Sequence, residues 1–175
     1  MKTNSNSYTI IYSAIIVVVV AFLLAFVYQA LKPMQEANVA LDQKKQVLYS
    51  LNIRGLDNAA AEATYNKVVK EEKTVDGSKM FICNVNGATK YVFTMKGMGL
   101  WGGISGYVSV NADKSTVYGA YFNHEGETAG LGAEIKDNQK WQEKFQGKQL
   151  FKGNDHSSIA LSVQKKVTDP ATQVD

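Results

Sequence analysis

Residues 79–95 read KMFICNVNGATKYVFTM. The residues on either side of Asn86-Gly87 follow a period of two, which is typical of β-strands. An Asn-Gly dipeptide readily adopts the positive φ angles of a type I′ turn. The stretch therefore predicts a β-hairpin with strands at 79–85 and 88–95, and the fold is expected to be built around an antiparallel sheet.

A second hairpin follows downstream. Residues 104–110 and 116–122 again follow a period of two, and residues 111–114 have the composition of the turn between them. The entry of one antiparallel strand lies beside the exit of the next. The segments that flank this hairpin are therefore expected to meet at one end of the sheet.

Further elements are predicted after the second hairpin. Asp137 is placed to cap a short helix at 138–145, in which Trp141 and Phe145 are four residues apart and face the same side. Residues 157–163 predict one more strand.

Two helices are predicted before the sheet. Residues 34–53 carry apolar side chains at helical spacing, and Gly55 is expected to end this helix as a left-handed cap. The apolar face can pack on its own domain or on a coiled-coil partner. Asp57 or Asn58 is placed to cap a second helix that continues to about Glu72.

The N-terminal part of the chain contains a long apolar run. No charged residue occurs from Thr3 to Leu31, and residues 10–31 would span roughly 33 Å at about 1.5 Å per residue. A secretory signal peptide is the alternative, but its apolar region is normally only about 7 to 15 residues long. The pattern favours an uncleaved membrane anchor, whereas the lysines on its two flanks leave the orientation open.

Composition excludes several functional classes. The 175 residues carry a net charge of +3 with scattered lysines, which does not fit a nucleic-acid-binding surface. His124 and His156 have no partners at metal-ligand spacing, and no Ser-His-Asp or phosphate-loop motif is present. The single cysteine, Cys83, lies in an apolar run and is interpreted as a buried hydrophobe.

Two unusual loops flank the second hairpin. The first glycine loop, Lys96–Gly103, reads KGMGLWGG, and the second glycine loop, His124–Gly132, reads HEGETAGLG. Glycines let the main chain approach a ligand closely, and apolar side chains can form the walls of a slot for a planar ring. Ordinary hairpin turns, with Trp101 in the core, are the alternative interpretation.

These loops resemble the FMN-binding domain family, and within it the C subunits of sodium-translocating NADH:quinone reductases. The resemblance rests on Met98-Gly99-Leu100-Trp101-Gly102 and on Glu125–Gly132, and the order of anchor, loops, hairpin and Trp-bearing helix extends it along the chain. The Gly-Leu-Trp tripeptide favours this family over the related G subunits of Rnf electron-transport complexes.

The resemblance implies FMN as the cofactor and assigns residues to its site. No catalytic residue and no metal ligand is expected. The residues expected to bind the cofactor are Leu100, Trp101, Glu127, Thr128, Gly130, Leu131 and Gly132.

The sequence departs from the family pattern at two points. Family members usually have proline where this chain has Ala129. They also carry a Ser-Gly-Ala-Thr type motif whose threonine esterifies the FMN phosphate, and no residue up to Asp175 matches that acceptor. The chain is therefore expected to be a truncated member that lacks the C-terminal part of the domain, or one that holds FMN noncovalently.

The resemblance also implies an architecture. The expected fold class is α+β, with a transmembrane helix, a helical stalk and an antiparallel-sheet FMN-binding domain with packed helices. The predicted boundaries are a tail at 1–9, the membrane span at 10–31, the stalk and helix at 32–75 and the incomplete domain at 76–175.

The implied function is that of an electron-transfer subunit of a translocase, with no activity alone. Its partners would be the membrane and the other integral membrane subunits, with no nucleic acid and no small-molecule substrate of its own. The soluble domain would lie on the periplasmic side of a bacterial inner membrane. The alternatives are a membrane-tethered binding or assembly module without a flavin, and the equivalent subunit of an Rnf-type complex.

Overall fold

The computed structural model describes residues 5–153 and 156–175. The chain divides into two compact units, Met1–Ala40 and Leu41–Asp175. Helix α1, Asn6–Ser50, begins in the first unit and ends in the second. Its most apolar 18-residue window has a mean hydropathy of 3.1, so by length and composition α1 is able to cross a membrane.

Helix α1 passes through Pro33, although a separate helix is expected from the sequence after this residue. Proline removes one backbone hydrogen bond from a helix. The long helical segments on both sides continue across that missing bond.

Helix α1 is terminated by Asn52, whereas the sequence predicted Gly55 as the cap. Asn52 has a φ of 61°. The Asn52 amide donates to the Tyr49 carbonyl at 3.0 Å, and the Ile53 amide donates to the Leu48 carbonyl at 2.9 Å. This pair of bonds is a Schellman motif, which satisfies carbonyl groups that the last helical turn would leave free.

Helix α2, Asn58–Val68, is capped by the Asp57 carboxylate, which accepts from the Ala60 amide at 2.8 Å. The predicted continuation to Glu72 is wrong, because strand β1 begins directly afterwards at Val69–Val75. The turn at Asp76-Gly77 pairs β1 with the next strand, and this pairing overrides the helical preference of the charged residues in β1.

The sheet contains five antiparallel strands in the order β1-β2-β3-β4-β5. The remaining strands are β2, Ser78–Val85; β3, Ala88–Met98; β4, Gly103–Asn111; and β5, Val117–His124. Both predicted hairpins are confirmed, and Asn86 and Gly87 have φ angles of 52° and 84°. Strand β3 also pairs with β4, so the first glycine loop is the turn of a third hairpin.

The sheet packs on both faces. On one face, the end of α1 and helix α2 cover a core of buried residues. These residues are Val47, Leu48, Leu51, Ala61, Tyr65, Val68, Phe81, Cys83, Val85 and Val92. The opposite face is covered by the C-terminal part of the chain, whose core contains Val108, Val110, Val117, Ala120, Phe145 and Val174.

The C-terminal elements are short. Helix α3, Glu134–Asp137, precedes α4, Gln139–Glu143, and the side chain of Asn138, not the predicted Asp137, caps α4 by accepting from the Trp141 amide. The strand predicted at 157–163 is reduced to β6, Ser162–Val163, which pairs in parallel with β7, Gln173–Val174. Strand β6 begins only at Ser162 because the amides of Ala160 and Leu161 donate to the Leu150 carbonyl.

Candidate functional site

The two glycine loops lie side by side, as the topology predicted. Ile104 at the start of β4 pairs with His124 at the end of β5. One residue beyond this pair, towards the loops, the Glu125 amide donates to the Gly103 carbonyl at 3.0 Å. The loops therefore form one surface at this end of the sheet.

The carboxylate of Glu127 joins the two loops. Its Oε1 accepts from the Trp101 amide at 3.0 Å. A Cβ added at Gly99 would collide with Oε1, and one added at Gly132 would lie 2.5 Å from Oε2. Glycine at these two positions therefore makes room for the carboxylate.

The backbone of Glu127 is also held in place. Its amide donates to His124 Nδ1 at 3.2 Å. From the sequence, His124 was considered as a metal ligand without partners, and Gly99 as one of the glycines that let the main chain approach a ligand. Both residues position Glu127, and only the three-dimensional arrangement reveals this.

The second glycine loop folds back on itself after Glu127. The carbonyl of Thr128 accepts from the amides of Leu131 and Ala133, both at 3.1 Å. Gly130 lies inside this turn with a φ of 72°, a conformation that favours glycine. The turn leaves Thr128 exposed, so its side chain is accessible to a ligand.

Large apolar side chains surround the joined loops. Leu100, Trp101 and Leu131 are 81%, 71% and 73% exposed, and Met98, which was not among the predicted site residues, is equally open. Trp101 therefore does not belong to the core. Exposed apolar side chains that cluster in this way are typical of surfaces that bind a ligand or a partner.

A buried polar network supports the end of the second glycine loop. Gln142 on α4 donates through Nε2 to the carbonyls of Ile135 and Lys136, at 2.8 and 3.1 Å, and accepts from Arg54 Nη2 at 2.6 Å. The Arg54 guanidinium also lies 5.2 Å from the ring centroid of Tyr49 and 5.8 Å from that of Tyr121.

Burial affects the ionisation of this network. It lowers the pKa of Arg54, an effect opposed by the electrostatic influence of Tyr121, Glu143 and Tyr49. Burial also raises the pKa of Tyr121 to about 12. Tyr121 therefore remains a neutral phenol at physiological pH, and the network carries only the charge of Arg54.

Aromatic rings pack against one another on the sheet face that the C-terminal part of the chain covers. Trp141 and Phe145 lie 5.1 Å apart, and Phe122 of β5 lies 5.6 Å from Trp141. The predicted common orientation of Trp141 and Phe145 is therefore confirmed. The Trp141 indole also donates to the carbonyl of Asp175 at 2.7 Å, which fixes the last residue of the chain on this layer.

The residues of the site are suited to a bound organic group. In the part of the chain that the structure describes, no group of three His, Cys, Asp or Glu side chains is arranged to hold a metal ion. The loops instead combine open main chain at Gly130, an exposed threonine and three exposed apolar side chains. This set fits a planar ring with polar edges, such as a flavin.

Comparison with known proteins bears on the same region. Residues 99–175 match the FMN-binding domain family. The C subunit of the Na(+)-translocating NADH-quinone reductase of Haemophilus ducreyi is 29% identical over 206 residues, covering 93% of this chain and 78% of the relative. The corresponding protein of Vibrio parahaemolyticus is 31% identical over 127 residues, which cover 70% of this chain but 48% of that relative.

A solved structure has the same fold. The crystal structure of the C subunit of the Na(+)-translocating NADH-quinone reductase from Parabacteroides distasonis superposes with a TM-score of 0.73. The two chains are 34% identical, and the match covers 83% of each.

Proposed function

Since this chain belongs to the family of C subunits of Na(+)-translocating NADH-quinone reductases, as its glycine loops predicted, we propose that it carries electrons on FMN within such a complex. The chain contains an FMN-binding domain at residues 99–175. In this proposal the complex couples electron flow to Na⁺ export, and the isolated subunit has no activity of its own.

The observation that carries the proposal is the joined pair of loops. The Glu127 carboxylate holds them together through the Trp101 amide, and both residues lie within the matched region. Leu100, Trp101 and Leu131 are exposed around this joint. A flavin bound against them would remove apolar surface from water.

The seven predicted site residues divide into two roles in this proposal. Glu127 and Gly132 shape the site, because the carboxylate occupies the space beside the glycine. The other residues would contact the cofactor: Leu100, Trp101 and Leu131 through apolar surface, Thr128 through its hydroxyl and Gly130 through open main chain.

Bound FMN would supply the electron-transfer chemistry, and the protein would supply position and environment. The exposed apolar side chains would exclude water from one side of the ring. Low local polarity disfavours added negative charge, so these side chains would help to set the potential at which FMN accepts an electron.

The proposal also places the chain in a membrane. Residues 10–31 would cross the bacterial inner membrane. Residues 32–75, which include strand β1 of the sheet, would connect the span to the rest of the domain, and residues 76–175 would hold FMN on the periplasmic side. The charge-free N-terminal run and the length of α1 support the span. The partners would be the other integral membrane subunits of the reductase.

Flavin content tests the proposal. The full chain is produced in flavin-replete cells and purified in detergent, and FMN is measured by absorbance. Flavin fluorescence of the denatured band then distinguishes covalent from noncovalent binding. We expect a yellow protein. A colourless protein from flavin-replete cells would contradict the proposal and support a tethered module without a flavin.

A matched pair of variants locates the flavin. Leu131→Asp is expected to reduce FMN retention by about tenfold or more, because the variant places a charge against an apolar ring. Ile159→Asp makes the same change at another exposed apolar residue, 70% exposed, and should retain FMN. Equal retention by the two variants would remove Leu131 from the site.

A further inference from the structure

A cavity lies on the sheet face that α1 covers, at the end of the sheet where the first glycine loop begins, within the unit Leu41–Asp175. Its volume is about 720 Å³. Most of this face is filled by apolar residues such as Phe81, Cys83 and Val92. Towards the end of the sheet that carries the β1–β2 turn, polar side chains replace them and line the cavity.

These polar residues form a row across three strands. Thr94 of β3 pairs with Tyr107 of β4, and its hydroxyl donates to the Lys79 carbonyl of β2 at 2.9 Å. Lys96 follows Thr94 by two residues, so both occupy the same face of the strand. Gln43 of α1 completes the wall opposite the sheet.

The cavity lining is cationic. It includes Lys79 and Lys96, and among the described residues that line it there is no carboxylate. Lys79 forms a long ion pair with Glu72, at 4.0 Å, and the two side chains are 65% and 48% exposed, so this interaction is weak.

Two neutral side chains of the cavity, Tyr107 and Gln43, carry hydrogen-bond donors. Asp42, which precedes Gln43 on α1, has its carboxylate engaged by Gln46 Nε2 at 2.6 Å. Burial raises the pKa of Tyr107, with smaller contributions from Asp42 and Glu72, so its phenol keeps its proton. The Gln43 amide adds a second neutral donor to the two ammonium groups.

We propose that this cavity binds the phosphate group of an anionic amphiphile. Lys79 and Lys96 would neutralise the phosphate, while Tyr107 and Gln43 would donate to its oxygens. The aliphatic stems of the lysines give the apolar surface that an amphiphile needs. The cavity shares Lys96 with the first glycine loop, but none of the seven residues assigned to FMN lines it.

A lipid headgroup and a soluble phosphate compound share this chemistry. The lipid is favoured because Gln43, on the cavity wall, follows the end of the apolar run at Leu31 by only 12 residues of the chain. Anionic headgroups attract lysines close to a membrane surface. The test therefore uses both a phospholipid and inorganic phosphate as ligands.

Native mass spectrometry of the full chain in detergent measures lipid binding, with phosphatidylglycerol or zwitterionic phosphatidylcholine added. Calorimetry with inorganic phosphate measures the soluble source. The chain is expected to bind phosphatidylglycerol more tightly than phosphatidylcholine. The double variant Lys79→Gln/Lys96→Gln should weaken this binding by about tenfold or more, since it removes two charged donors.

The double variant Lys136→Gln/Lys140→Gln is the matched control, because it removes the same charge from exposed lysines on α3 and α4 and should bind as before. Thermal unfolding verifies that both variants are folded. Inorganic phosphate binding that depends on Lys79 and Lys96, without lipid binding, would support the site with a soluble ligand. The proposal would be overturned if the two double variants lost ligand binding equally, or if neither variant lost it. It would also be overturned if the chain bound neither lipid nor phosphate.

Discussion

The carboxylate of Glu127 accepts a hydrogen bond from the backbone amide of Trp101 at 3.0 Å, and it joins two loops whose bonded residues are 26 positions apart. One side chain thus determines the relative position of both glycine loops. Substitutions at Glu127 and at Gly99 test this contact between the loops.

Glu127→Ala is expected to loosen the site, whereas Glu127→Gln should preserve it. Alanine leaves the Trp101 amide without its acceptor, which costs about 1 kcal/mol of unfolding free energy, and glutamine keeps an oxygen at that place. Urea unfolding and the FMN content of the purified chain measure the two effects. The role of Glu127 as a joint would be excluded if alanine and glutamine behaved alike.

Two neighbouring glycines provide a second test of the joint. In Gly99→Ala, the new Cβ would displace the Glu127 carboxylate, so we expect weaker FMN retention. Gly97→Ala is the control in the same loop, because a Cβ at Gly97 meets nothing within 4 Å. FMN dissociation is followed by flavin fluorescence. Faster dissociation from the Gly97 variant than from the Gly99 variant would contradict this geometry.

Gln142→Leu is expected to destabilise the fold by about 2 kcal/mol or more, because it leaves the half-buried Arg54 guanidinium and two backbone carbonyls without their partner. The control is Gln146→Leu, which removes an exposed amide that donates to Asn52 at 3.0 Å and should cost less than about 0.5 kcal/mol. Urea midpoints measure both. Similar losses in the two variants would show that the buried network contributes little.

Cys83 is expected to resist thiol reagents until the domain unfolds. Burial raises the pKa of its thiol to about 12, and the side chain is 1% exposed, so at a mildly alkaline pH the reactive thiolate is scarce and inaccessible. Mass spectrometry of maleimide-treated protein measures the labelling rate. Val92→Ala, in the same core, should accelerate labelling by easing unfolding. Rapid labelling of the unaltered folded chain would contradict the burial of Cys83.

Prediction from the sequence was most accurate where a few adjacent residues determine a turn. Asn86-Gly87 predicts its hairpin without reference to the rest of the chain, and the proximity of the glycine loops follows from antiparallel pairing. Strand β1 was missed because its central residues are charged and its side chains are almost entirely exposed. Such a strand shows no apolar alternation, and charge on an edge strand discourages pairing with other chains.

The sequence predicted where the candidate site lies, but not how its side chains are arranged. Leu100, Trp101 and Leu131 were identified from the loops that carry them, and these loops meet as expected. The inward position of the Glu127 carboxylate depends on a side-chain rotamer and on space beside Gly99 and Gly132. Those conditions arise only when the two loops are together, so spacing along the chain does not reveal them.

Every strand of the five-stranded sheet pairs with its neighbours in the chain. Short loops close rapidly and at low entropic cost, so the order of assembly can follow the order of synthesis. Each strand that leaves the ribosome finds its partner already present. The glycine loops then come together only when β5 is added, so the end of the sheet that carries these loops is expected to form last.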